Sequence, residues 1–250
     1  MTDAPVNTSP DGSNNIAAQS SWGFWASIGW VVVAIFGSSI PVGLTLAVWV
    51  RASRQFGSNQ TFLSSHVVSA AISYVPAIIA LYFIARILSP SGLKYLGLQW
   101  PRIRYLLLGI LCWLLYILIV FGSIIAIFGG LVTRDVIELY RSAVNTHALP
   151  LLWICIVLIV PLGEEIVFRG FLYRGWSESR LGAPGAIVLT SFAWLLMHLP
   201  NNLIFLSTAF VCGLMLGWLR WLSGSVLTPF LMHVLTNTVV MLHASNAVSY

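Results

Sequence analysis

The stretch LPLLWICIVLIVPLGEEIVFRGFL, residues 149–172, is apolar from Leu149 to Gly163 and then carries two adjacent carboxylates, Glu164 and Glu165. It is long enough to cross the roughly 30 Å of hydrocarbon that needs about 20 residues of helix. Removing an unpaired charge from water costs several kcal/mol, so two acids here need a reason. The rest of the chain has the same solvent. Of 250 residues, 58% are hydrophobic and 8% charged, and the mean hydropathy is +0.91, well outside the range of a soluble globular domain. The sequence is that of a membrane protein.

Similar apolar windows recur near 24–50, 65–88, 105–128, 149–174, 183–200, 201–219 and 225–243. No window alternates as a barrel strand does, so the expected fold is all-α, a polytopic helical membrane protein of about seven transmembrane helices, six to eight. Residues 1–21 are polar, rich in Ser, Asn and Pro, with no Lys or Arg, and read as a disordered tail rather than a signal peptide. Residues 22–148 hold the N-terminal transmembrane helices and a surface helix, and 149–243 the core helices that carry chemistry. No internal repeat or second domain is evident.

The net charge of +5 comes from basic residues scattered near segment ends. That pattern fits topology signals and excludes a nucleic-acid patch. With the N-terminus inside, eight of the twelve Lys and Arg fall in cytoplasmic loops, the orientation favoured by the positive-inside rule. In 130–150, Val132, Val136, Leu139 and Tyr140 recur at helical spacing, which predicts a short amphipathic helix, either on the membrane surface or in a solvated loop. Cys112, Cys155 and Cys212 lie apart in apolar windows and read as small core residues. His66, His147 and His243 sit near predicted interfaces and read as solvated. Gly213 and Gly217 form a Gly-x-x-x-Gly that lets its helix pack closely inside the bundle.

Of the seven acidic residues, only Glu164 and Glu165 fall in a predicted membrane segment. Adjacent helical residues point about 100° apart and residues four apart differ by about 40°. Glu165 therefore shares a face with Arg169 and can pair with it, leaving Glu164 directed elsewhere. Two later segments add polar groups: SFAWLLMHLP carries Trp194 and His198, and LTPFLMHVLTNTVV carries His233 and Asn237 on one face. At about 1.5 Å per residue, Glu164 lies about 18 Å below its helix end, His198 about 22 Å, and His233 and Asn237 about 12 and 18 Å. Three helices thus bring an acid, two imidazoles and an amide to one level inside the bilayer, which helix packing alone does not require.

The pattern Glu-Glu-x-x-x-Arg at Glu164, Glu165 and Arg169, a His on the next helix at His198, and His-x-x-x-Asn at His233 and Asn237 resembles the CAAX protease and bacteriocin-processing (CPBP) family of intramembrane proteases. The resemblance covers about residues 149–243, and YLGLQWPRIR at 95–104 is similar to a stretch that often precedes that family's central helices. The family usually has Phe four residues before its first His; here Trp194 stands in that place, a departure that bears on substrate shape. Trp194 is the candidate substrate-binding residue.

What the resemblance implies is an endopeptidase in which Glu164 is the general base on a water oriented by His198, while His233 and Asn237 stabilise the oxyanion. Glu165 and Arg169 would be the supporting pair. No Ser or Cys nucleophile is needed, since water attacks directly. The implied substrate is a membrane-associated peptide or protein, with a prenylated C-terminus or a bacteriocin-type leader as precedents. No cofactor and no nucleic acid are expected. Two His and a Glu are also a catalytic zinc set, so zinc is an alternative, although the chain lacks the His-Glu-x-x-His of common zinc proteases. A non-catalytic immunity or scaffold protein is a further alternative. The expected location is the cell membrane, multi-pass, in a bacterial plasma membrane.

Overall fold

The computed structural model describes residues 23–55, 66–88, 94–129, 134–199 and 201–248. The polar tail and Val132 lie outside them, as does the side chain of His66. All regular structure in the described residues is helical: α1 Gly23–Gln55, α2 His66–Leu88, α3 Ile103–Ile127, α4 Arg134–Asn145, α5 Leu149–Ser177, α6 Gly182–Leu196, α7 Leu203–Ser223 and α8 Leu227–Val248. Each of the seven apolar windows is a helix. α3, α5, α7 and α8 are long and apolar enough to cross a membrane, with shorter apolar stretches at Gly23–Ile35, Ile72–Ile87 and Gly182–Leu196. The protein is a polytopic helical membrane protein.

α5 is the most enclosed of the four long spans and α3 the least. The other helices close around α5 because small residues let them approach. A Cβ on Gly163 would sit 2.4 Å from the ring of Tyr74 on α2, and one on Gly213 would sit 2.9 Å from Cβ of Ser191 on α6. The Gly213-x-x-x-Gly217 face therefore packs within the bundle, against α6. Arg220 on α7 is buried and donates from Nε to the Arg169 carbonyl at 2.9 Å and from Nη2 to that of Leu96 at 3.5 Å. It joins α5, α7 and the 95–104 stretch at one end of the bundle.

The winding of α5 is not uniform. Ile154–Ile159 and Ile166–Leu172 are wound as π-helix, with Val160–Glu165 α-helical between them. Pro161 accounts for the first stretch, because it has no N–H to give a carbonyl in the preceding turn. Val160 N–H bonds the Cys155 carbonyl, five residues back. The next bond of that register, Pro161 to the Ile156 carbonyl, cannot form, which leaves an acceptor open inside the bundle.

Two expectations about helix limits change. His198 does not lie within a helix, since α6 ends at Leu196 and residues 197–199 form a turn. Pro200 follows in sequence, and the residue before a proline is steered away from helical backbone. The predicted amphipathic helix is α4, and its apolar face is applied to the protein: Tyr140 and Ala143 are buried with Leu152, Met241 and Ala244, while Arg134, Asp135, Glu138 and Arg141 are exposed. Cys155 and Cys212 are buried and Cys112 partly so, all three as free thiols. His147 is exposed and His243 half-buried.

Candidate active site

Glu164 and Glu165 close the α-helical turn that follows Pro161. Both are buried, Glu165 completely and Glu164 to 7% exposure. Arg169, one turn on and also fully buried, donates from Nη1 to Glu165 Oε1 at 2.8 Å. The expected pair is therefore formed, away from water. The guanidinium is further held by the Gly213 carbonyl, 3.2 Å from Nη2, and by the ring of Trp194, 4.9 Å from its carbon to the centroid. A planar cation that hydrogen-bonds at its edge and stacks on its face suits arginine and not lysine.

His233 reaches this pair from α8. Its Nδ1 lies 3.0 Å from Glu165 Oε1, and its Nε2 lies 3.8 Å from Glu164 Oε2. Sequence spacing had Glu164 directed away from Glu165; the two acids leave the helix in different directions, yet one imidazole meets both. A carboxylate oxygen accepts, so Nδ1 of His233 carries the proton of that bond. Glu164 Oε2 accepts its hydrogen bond from across the bundle, from the indole Nε1–H of Trp194 at 2.8 Å.

His198, in the turn after α6, has Nδ1 2.9 Å from the Trp194 carbonyl. A carbonyl can only accept, so Nδ1 is protonated and the neutral ring keeps its lone pair at Nε2. Asn237 on α8 donates from Nδ2 to the Ile156 carbonyl at 2.8 Å. This is the acceptor that Pro161 leaves open, and the asparagine keeps a second N–H for another partner.

Glu164, Trp194, His198, His233 and Asn237 all line one cavity of about 420 Å3. Glu165 and Arg169 lie behind that wall. The remaining lining is mostly apolar, including Phe121, Ile124, Val160, Phe205 and Val240, with Val136 of α4 at one side. Among the described residues no three His, Cys, Asp or Glu side chains are grouped to hold a metal ion. A cavity holding one carboxylate, two imidazoles and an amide donor over an apolar lining can bind a peptide and present a water to it.

The chain segment that contributes this wall is the one a family model recognises. Residues 146–239 match the Rce1-like family of type II CAAX prenyl endopeptidases. The Rce1-like match spans the Glu-Glu-x-x-x-Arg, Trp-x-x-x-His and His-x-x-x-Asn segments together, and the resemblance read from those residues is to the same group of proteases. The family is one of CAAX-type intramembrane proteases. No curated protein and no solved structure was found to match the chain.

Sequence reasoning missed three features of the site. The Trp194 indole as a donor to Glu164 could have been suspected from the Trp itself, since a buried indole N–H requires an acceptor. The contact of His233 with Glu165 had no local signal. Tyr116, Phe121, Thr208 and Cys212, from α3 and α7, also line the cavity, and nothing in their spacing marks them.

Proposed function

We propose that the chain is an intramembrane endopeptidase that hydrolyses a peptide bond near the bilayer with a glutamate-activated water. The observation that carries this reading is that Glu164, His198, His233 and Asn237, from two helices and a turn, border one cavity. The Rce1-like match supports the reaction class.

The chemistry follows from the donors and acceptors available. Glu164 takes a proton from water while the water oxygen attacks the carbonyl carbon; the Nε2 lone pair of His198 accepts the other water hydrogen and orients the attack. Negative charge develops on the former carbonyl oxygen, where the free N–H of Asn237 and Nε2 of His233 donate. Because Nδ1–H of His233 is committed to Glu165, donation from Nε2 uses the imidazolium form, in which the two carboxylates, Arg169 and His233 sum to zero charge. The C–N bond then breaks as Glu164 passes its proton to the leaving nitrogen. No acyl-enzyme forms and no metal takes part.

The apolar lining suits a membrane-associated peptide or protein substrate; the proposed substrates are a prenylated C-terminus or a bacteriocin-type leader, and the proposed location is a bacterial plasma membrane. The test is cleavage of prenylated C-terminal peptides and membrane peptides by purified protein, comparing wild type, Glu164→Ala, and wild type in strong chelator. Cleavage abolished by the substitution and kept in chelator is expected. Loss in chelator restored by zinc would replace the glutamate base with a zinc site, and a wild-type protein that cuts nothing would favour an immunity or scaffold role.

A further inference from the structure

We propose that Trp194 is a positioning residue, holding the Glu164 carboxylate and the His198 ring in the arrangement that proton transfer needs; this rests on Glu164 being the base. Trp194 is buried near the end of α6 and touches Glu164, Arg169, His198 and His233. Its indole N–H donates to Glu164 Oε2 at 2.8 Å, within the short range of charge-assisted bonds. Its carbonyl accepts from Nδ1 of His198 at 2.9 Å. One residue thus engages the two groups proposed to flank the water.

The ring cannot turn to release that bond. The guanidinium of Arg169 lies over it at 4.9 Å. The rings of His198 and His233 meet it at 4.8 and 5.4 Å, inclined at 77° and 82°. The indole has one donor and no acceptor, so its direction is set once the ring is fixed. A glutamate with three rotatable bonds is otherwise free to sample several rotamers. With Oε2 engaged, Oε1 is the oxygen left for the water, already aimed before substrate arrives, and no reorganisation is needed during the reaction.

The experiment separates the N–H from the shape of the ring. Trp194→Phe removes the donor and keeps an aromatic; benzothienylalanine at 194 replaces only N–H by sulfur. A charge-assisted hydrogen bond contributes about 1.5–3 kcal/mol, so kcat on the prenylated peptide panel should fall about tenfold to a hundredfold in both, with KM unchanged. Independently of activity, the Trp194 indole resonance of 15N-labelled protein, assigned by its loss in Trp194→Phe, should move in Glu164→Ala. An analogue with full kcat, or a resonance indifferent to Glu164→Ala, overturns the positioning role while a dead Glu164→Ala keeps the base. Activity surviving in Glu164→Ala, or a wild type that cuts nothing, overturns the base and the positioning role with it.

Discussion

Replacing Arg169 by methionine keeps the volume of the side-chain stem and removes the guanidinium that pairs with Glu165. Both partners are at zero exposure and 2.8 Å apart, so the substitution leaves a carboxylate in the bundle with His233 as its remaining partner. Breaking one side of a buried pair costs about 3–5 kcal/mol. At about 2–4 °C per kcal/mol for a chain of this size, the unfolding midpoint should fall by roughly 6–20 °C. The assay is the fraction of detergent-solubilised protein that stays monodisperse after heating. Glu165→Gln in the same chain removes the stranded charge while its amide oxygen still accepts from His233 Nδ1, so the double variant should regain at least half of the loss. A double variant no more stable than Arg169→Met would refute the argument, because the cost would then lie in the lost stacking on Trp194 and the lost bond to Gly213, not in the uncompensated acid.

Gly163→Ala should reduce the yield of folded protein by the 1–3 kcal/mol usual for overpacking, since its Cβ would lie 2.4 Å from the Tyr74 ring; Tyr74→Ala in the same chain should restore part of it. Pro161→Ala supplies an N–H to the Ile156 carbonyl and competes with Asn237 for it. Its kcat should fall, by no more than the roughly hundredfold to thousandfold that loss of one oxyanion donor costs, and it should add nothing further in an Asn237→Ala background; full additivity would detach the proline from the asparagine.

Much of the site was legible in the sequence because the membrane makes polar groups scarce. An acid in an apolar window has few neutral explanations, and the Glu165–Arg169 pair is local, set by the four-residue repeat of one helix. The rise of the helix likewise pointed to Glu164, His198, His233 and Asn237 as neighbours, and they border one cavity even though α6 ends before His198. The error there was cancelled by the turn, which keeps the ring beside the carbonyl of Trp194. What stayed hidden depends on how helices rotate against one another. Trp194 and Glu164 are thirty residues apart on different helices, and no periodicity says which way an indole on α6 points across to α5. The bond from Asn237 to Ile156 needs the π-wound stretch before Pro161, and helix patterning assumes a uniform winding.

The same comparison changes the account of why two acids stand side by side. The 100° between them suggested that they part company, one paired and one free. In the folded chain both come to His233, one at each ring nitrogen, at 3.0 and 3.8 Å. What divides them is their other partner. Glu165 faces a guanidinium with no route to the cavity, while Glu164 faces an indole N–H and borders the cavity itself. A guanidinium bonded at 2.8 Å ties up Glu165 as a base, whereas Glu164 takes its hydrogen bond from a neutral indole and stands 3.8 Å from the nearest imidazole nitrogen, so it is oriented and still able to accept a proton. The adjacent acids are thus given separate work by the charge of what each one touches, and the imidazole between them couples the two.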